Sequence, residues 1–189
     1  YGILNKAQVE NFEKNKDIGF SYAIEDLCRF RINYYIQRNT IAVAVRLIRF
    51  DIPTFEELGL PSIIKDFASR SHGLFITSGP VGCGKSTTLA AMVDFINQTR
   101  RAHIVCIEDP IEYVHRNKSS IIDQREVGED AVSFEMALRN VFRQNPDVIM
   151  IGEMRDRETM QLALTLAETG HLILATLHTQ DAANAVNRI

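Results

Sequence analysis

The sequence is short of most features that mark a specialised protein class. It has three cysteines in 189 residues, an odd number at unrelated positions, which argues against a disulfide framework and for a reducing compartment. No apolar run approaches the ~18 residues that span a bilayer. Basic charge is not in excess: 21 Lys and Arg against 24 Asp and Glu leave a net charge of −3, unlike the strongly basic footprint of a dedicated nucleic-acid binder. There is no internal repeat, no low-complexity tract and no Cys/His spacing suited to zinc. The first residue is Tyr1, without a Met or a signal-peptide pattern, and Asn187-Arg188-Ile189 falls inside a helical pattern. The chain is therefore expected to be a piece of something longer.

What is present is an ordinary globular composition, 46% hydrophobic and 24% charged, enough for a packed core and against disorder. The length suits one domain or two small ones. Two regimes follow one another. Residues 18–50 are rich in β-branched and aromatic side chains without a helical period, and predict strands near 20–24, 28–37 and 40–48 with a turn at Arg38-Asn39. A short helix is expected before them, at about 6–14. Pro53 and Pro61 punctuate a connector. From Gly73 onward short apolar strands (74–77, 103–107, 148–151, 172–176) alternate with helices (85–99, 133–144, 157–168, and one starting at 181). This alternation predicts a parallel sheet covered on both faces, with its ligand edge at the C-terminal ends of the strands.

The sharpest motif is Gly79-Pro80-Val81-Gly82-Cys83-Gly84-Lys85-Ser86-Thr87, which fits G-x-x-x-x-G-K-[ST]. Glycines let successive backbone N–H groups converge on phosphate oxygens, and the helix that starts here turns its positive end to the same anion. Lys85 would reach the β- and γ-phosphates and the Ser86 hydroxyl would ligate Mg²⁺. A chance match in this length is roughly one in a few hundred, and the strand before and helix after the loop are the required context. The glycine spacing does not give the G-x-G-x-x-G of a dinucleotide fold.

A P-loop enzyme also needs carboxylates at neighbouring strand ends. One apolar strand delivers Glu153; another ends in Glu108, Asp109 and Glu112, of which at least one is expected to serve the site. Acids at strand ends are commonly just solvated, but beside a P-loop the balance shifts. His178 follows the strand at 172–176 and would face the same edge, where a γ-phosphate contact is credible; a His after a strand is otherwise more often structural. Between Cys28 and Phe50 there are five arginines (Arg29, Arg31, Arg38, Arg46, Arg49) and no acid. They form either a solvated sheet face or a surface that meets phosphate, of the bound nucleotide or across a subunit boundary. The negative overall charge weighs against nucleic acid.

Taken together the motifs resemble the secretion-ATPase superfamily of type II secretion and type IV pili, over nearly the whole chain. Its four boxes occur in order: the P-loop at 79–87, an aspartate-rich box at 107–112, a Walker B box at 147–156 and a His box at 170–179. Gln124-Arg125-Glu126-Val127, Gly152-Glu153-Met154-Arg155-Asp156 and Ala167-Glu168-Thr169-Gly170-His171-Leu172 look like the PilT-type retraction branch. Assembly ATPases usually read Gly-Glu-Ile-Arg-Asp and lack the Glu before Thr-Gly-His. The resemblance implies an α/β fold: a RecA-like P-loop core at 61–189, truncated at its C-terminal end, a linker at 51–60 and a small PAS-like α+β domain at 1–50.

The same resemblance implies a homo-hexameric ATPase that uses ATP and Mg²⁺ to withdraw pilin, through a platform protein of the inner membrane. It would be cytoplasmic, peripheral at that membrane, and without a nucleic-acid partner. Glu112 looks like the residue that polarises the attacking water, Glu153 like the Walker B residue acting on Mg²⁺ through water, and His178 like the His-box residue near the γ-phosphate. Arg46 and Arg31 best match the N-domain positions that approach nucleotide. Cys83 stands where Ser is usual, which implies sensitivity to thiol reagents. The alternatives are an assembly or secretion ATPase of the same superfamily and a weakly hydrolysing nucleotide-binding accessory subunit. A DNA-translocating ATPase is the more distant choice.

Overall fold

The computed structural model describes residues 2–24, 28–48, 50–179 and 182–188. Arg49 and Asp181, the latter the expected first residue of the last helix, lie outside them. The chain forms two compact units, Tyr1–Phe50 and Asp51–Ile189.

In the first unit, helix α1 (Lys6–Asn15) precedes strands β1 (Asp17–Ile24), β2 (Cys28–Gln37) and β3 (Thr40–Ile48). A reciprocal pair caps α1: Asn5 Oδ1 accepts from the Gln8 N–H at 2.9 Å and Gln8 Oε1 accepts from the Asn5 N–H at 3.0 Å. The strands make one antiparallel sheet in the order β1-β2-β3, turning at Arg38-Asn39, both at positive φ. Phe12 of α1 packs with Ile18, Phe20 and Ile32 on one face. On the other face β2 and β3 pair with Arg31 directly opposite Arg46, and both side chains are exposed.

The second unit continues with α2 (Ile63–Ala68), β4 (Gly73–Ser78), α3 (Lys85–Thr99), β5 (His103–Glu108), β6 (Ile121–Glu126) and α4 (Phe134–Val141). After a single 3₁₀ turn at Phe142–Gln144 come β7 (Val148–Ile151), α5 (Arg157–Glu168), β8 (Leu172–Leu177) and α6 (Ala182–Arg188). Five parallel strands lie in the order β4-β8-β7-β5-β6. Both faces are buried, and alternate residues feed two cores, as a period of two requires. Val105, Ile107, Ile149, Ile151, Ile173 and Ala175 meet α4 and α5 on one side. Ile104, Cys106, Val148, Met150, Leu172 and Leu174 meet α2 and α3 on the other. Parallel strands bring every C-terminal end to one edge, which collects the P-loop, Glu108, Gly152 and His178.

One expectation changes, and two elements are present that the sequence pattern does not reveal. Residues 51–60 are not a free linker: Phe55 is buried, 5% exposed, in the core beneath α3, with Leu58 and Leu60 packed against it. Burial of apolar side chains outweighs the turn signals of the flanking prolines, and the segment belongs to the second unit. β6 was hidden because its edge position leaves Ile121, Asp123 and Gln124 in a sequence with no apolar run. α2, six residues long, is too short to show a period.

Candidate functional site

The P-loop leaves β4 and enters α3 through three glycines that use their conformational freedom: Gly79 (φ 152°), Gly82 (φ 80°) and Gly84 (φ 93°). Gly84 is also the N-cap residue of α3 and offers no side chain to the helix's first N–H groups, which leaves those donors for an anion. Inside the loop the Lys85 side chain is only 8% exposed. Its Nζ donates to the carbonyls of Gly79 at 2.9 Å and Pro80 at 2.8 Å and lies 3.4 Å from His178 Nδ1. No partner of Lys85 among the described residues is a carboxylate. A buried ammonium held by carbonyl dipoles and an imidazole, without a counter-charge, is suited to a ligand that brings negative charge.

Around this cation the strand ends build a charged chain. His178 Nε2 lies 3.3 Å from Glu153 Oε1. Arg155 Nε donates to Glu153 Oε2 at 2.8 Å, and Arg155 Nη1 donates to Asp109 Oδ2 at 3.2 Å. P-loop, His box, Walker B box and aspartate-rich box are thereby joined side chain to side chain. The spacing is enforced by hydrogen bonds to the Gly152 backbone: its N–H donates to the Ile107 carbonyl at 2.8 Å, and the Thr176 hydroxyl donates to its carbonyl at 2.5 Å. A Cβ at Gly152 would lie 3.2 Å from Glu108 Cα and 3.3 Å from the Ile107 carbonyl oxygen, so a larger residue here would push the end of β7 from β5 by a few tenths of an ångström. Asp156 caps α5, its Oδ1 accepting from the Thr159 N–H at 2.7 Å, which anchors the loop that carries Glu153 and Arg155.

Glu112 lies four residues beyond the end of β5, exposed to solvent. Its neighbour Tyr113 shares a hydrogen bond with Thr87 of the P-loop helix, 3.1 Å between the hydroxyl oxygens. Glu108 itself is buried, and accepts from Gln124 Nε2 at 3.0 Å and from the Glu112 N–H at 3.4 Å. Burial raises its pKa to about 7, against the lowering effect of those two hydrogen bonds. His115 is pushed the other way, to about 4, also by burial. Ser86 and Thr87 are half-buried and Cys83 is exposed. Pro80 and Val81 form the exposed tip of the loop.

Lys85, Glu153 and His178 thus meet, with Glu112 on the adjoining loop. Arg31 and Arg46 belong to the other unit. Sequence reasoning passed over Arg155 and Gln124 as site residues, although both lie inside quoted boxes; partners for an arginine and an amide depend on strand order, which no local pattern reveals.

A parallel α/β sheet with a glycine-rich phosphate loop at its C-terminal edge defines a P-loop nucleotide-binding domain. The family model described as Type II/IV secretion system protein matches residues 20–189, and the chain belongs to that family. It is 50% identical over 188 residues to the type IV pilus ATPase PilU of Pseudomonas aeruginosa, covering 100% of this chain and 49% of that protein. It is 46% identical over 189 residues to the type IV pilus retraction ATPase PilT of the same organism, covering 100% and 55%. A crystal structure of the pilus retraction motor PilT with bound ADP superposes with a TM-score of 0.96 at 48% identity, again over 100% of this chain and 55% of that one. The chain therefore spans about half the length of the relatives it matches. Among the described residues no helix is long and apolar enough to cross a membrane.

Proposed function

We propose that this chain is the nucleotide-binding part of a Mg²⁺-dependent ATPase motor that powers type IV pilus retraction. The observation that carries the reading is the buried Lys85 ammonium, without a carboxylate partner among the described residues, beside the Glu153–His178 pair. Likeness over the whole of this chain, and about half of theirs, to named pilus ATPases gives that site its context.

In this reading the backbone amides of Gly79 to Thr87 hold the α- and β-phosphates and Lys85 turns from the Gly79 and Pro80 carbonyls to the β- and γ-phosphates. Ser86 and Glu153 would hold Mg²⁺, Glu153 through water; among the described residues no group of three His, Cys, Asp or Glu could hold a metal by itself. When bound there, the ion would neutralise phosphate charge that builds up during hydrolysis. Glu112 orients and polarises the attacking water, and His178, already between Lys85 and Glu153, faces the γ-phosphate. Arg31 and Arg46 are like charges directly opposite across two strands, an arrangement that costs stability on its own; we assign them to phosphate contact in a homo-hexamer. The domain assignment is a PAS-like unit at 1–50 and a RecA-like unit after it. The partner is an inner-membrane platform protein, with the motor on its cytoplasmic side.

The test uses the full-length protein and its gene. The full-length protein should hydrolyse ATP in the presence of Mg²⁺, and a deletion strain should keep surface pili while losing twitching. A strain without pili would make it an assembly ATPase, and a protein that binds ATP without steady-state turnover would make it an accessory subunit.

A further inference from the structure

The loop that carries Glu112 forms neither helix nor strand, yet one side chain from β6 gathers it. Gln124 Nε2 donates to Glu108 Oε1 at 3.0 Å and to the Tyr113 carbonyl at 2.8 Å, while Gln124 Oε1 accepts from the His115 N–H at 2.8 Å. One amide thus spends both its donors and an acceptor on residues at 108, 113 and 115, bracketing Glu112 on either side. Its neighbour on the same face of β6, Glu126, accepts from the Ile111 N–H at 3.4 Å. Across the loop, Tyr113 is tied to Thr87 of the P-loop helix. Among the described residues Glu112 is anchored only through its N–H on Glu108, so its placement depends on this bracket.

From this we infer that Gln124 is a positioning residue for hydrolysis, fixing the Glu112 loop against β5 and the P-loop so that the Glu112 carboxylate meets the attacking water. The inference rests on the reading of Glu112 as the water-polarising residue. A misplacement of about 1 Å in such a group costs of the order of a hundredfold in rate, while the phosphate-binding groups, on the loop after β4 and the first turn of α3, are not hydrogen-bonded by Gln124.

The experiment compares full-length wild type, Gln124→Leu, Gln124→Glu, Glu112→Gln and the double variant Gln124→Leu/Glu112→Gln in steady-state ATP hydrolysis and in equilibrium binding of a fluorescent ADP. Gln124→Glu keeps the length of the side chain and the oxygen facing His115, and removes both donors, so it remains informative if Gln124→Leu fails to fold. The expected result is a fall in kcat of about tenfold or more in both Gln124 variants, with ADP affinity within about threefold of wild type. In the double variant, Gln124→Leu should add no further loss to that of Glu112→Gln. Wild-type kcat in a folded Gln124 variant, a parallel loss of ADP affinity, or a further loss in the double variant would overturn the inference. If Glu112→Gln alone turns over at the wild-type rate, the reading of Glu112 itself falls, and the inference with it; that single variant leaves Gln124 intact, so the two failures are told apart.

Discussion

Glu108 offers a quantitative check on the packing behind the site. Its carboxyl is buried at the end of β5, and burial raises its pKa from an ordinary 4.5 to about 7. In the unfolded chain the group loses its proton near 4.5; in the folded chain it keeps it until about 7. Between those values the folded state binds the extra proton, so folding stability from this group falls as pH rises and the penalty is complete above about 7. At 1.36 kcal/mol per pH unit that penalty reaches about 3 kcal/mol. Glu108→Gln removes the titration and keeps one oxygen to accept from Gln124 Nε2 at 3.0 Å, giving up the longer 3.4 Å bond that the other carboxylate oxygen accepts from the Glu112 N–H. Relative to wild type, the variant should gain about 3 kcal/mol on going from pH 4.5 to pH 8, equivalent to roughly 6–12 °C in Tm for a chain of this size. Thermal unfolding of both proteins across that range measures it. Two stability curves that run parallel would refute the buried, proton-holding state of Glu108.

Other outcomes follow from single contacts. Gly152→Ala places a Cβ 3.2 Å from backbone at Glu108 and should cost about 1–3 kcal/mol of stability, with loss of ATP turnover as β7 and β5 separate; calorimetry and a hydrolysis assay read both. Arg155→Ala releases Glu153 and Asp109 together and should lower kcat by about tenfold or more with little change in ADP affinity. Cys83 is exposed at the phosphate loop while Cys106 is buried; alkylation should block nucleotide binding in wild type, be slowed by ADP, and be without effect on binding in Cys83→Ser.

The parts of this protein legible in its sequence are those whose chemistry is local. The P-loop can be read because its glycines, lysine and serine must lie within nine consecutive residues. The strands at 103–107 and 148–151 can be read because burial on both faces makes them continuous apolar runs, and Gly170 ends α5 at φ 102° as a helix stop should. What escaped was set by neighbours distant in sequence. β6 gains its place by pairing beside β5, not from its own residues. Phe55 turns an apparent linker into core because α3 lies over it. Arg155 reaches Asp109, forty-six positions away in sequence, only because β7 lies next to β5.

The central claim is that Lys85 binds phosphate while Glu153 and Glu112 serve hydrolysis. The most direct measurement is ADP binding and ATP turnover, side by side, for Lys85→Ala, Glu153→Ala and Glu112→Ala in the full-length protein. The account predicts that Lys85→Ala loses binding, while the two glutamate variants bind nearly as wild type and turn over slower by orders of magnitude. Normal hydrolysis in both glutamate variants, or unimpaired binding in Lys85→Ala, would contradict it.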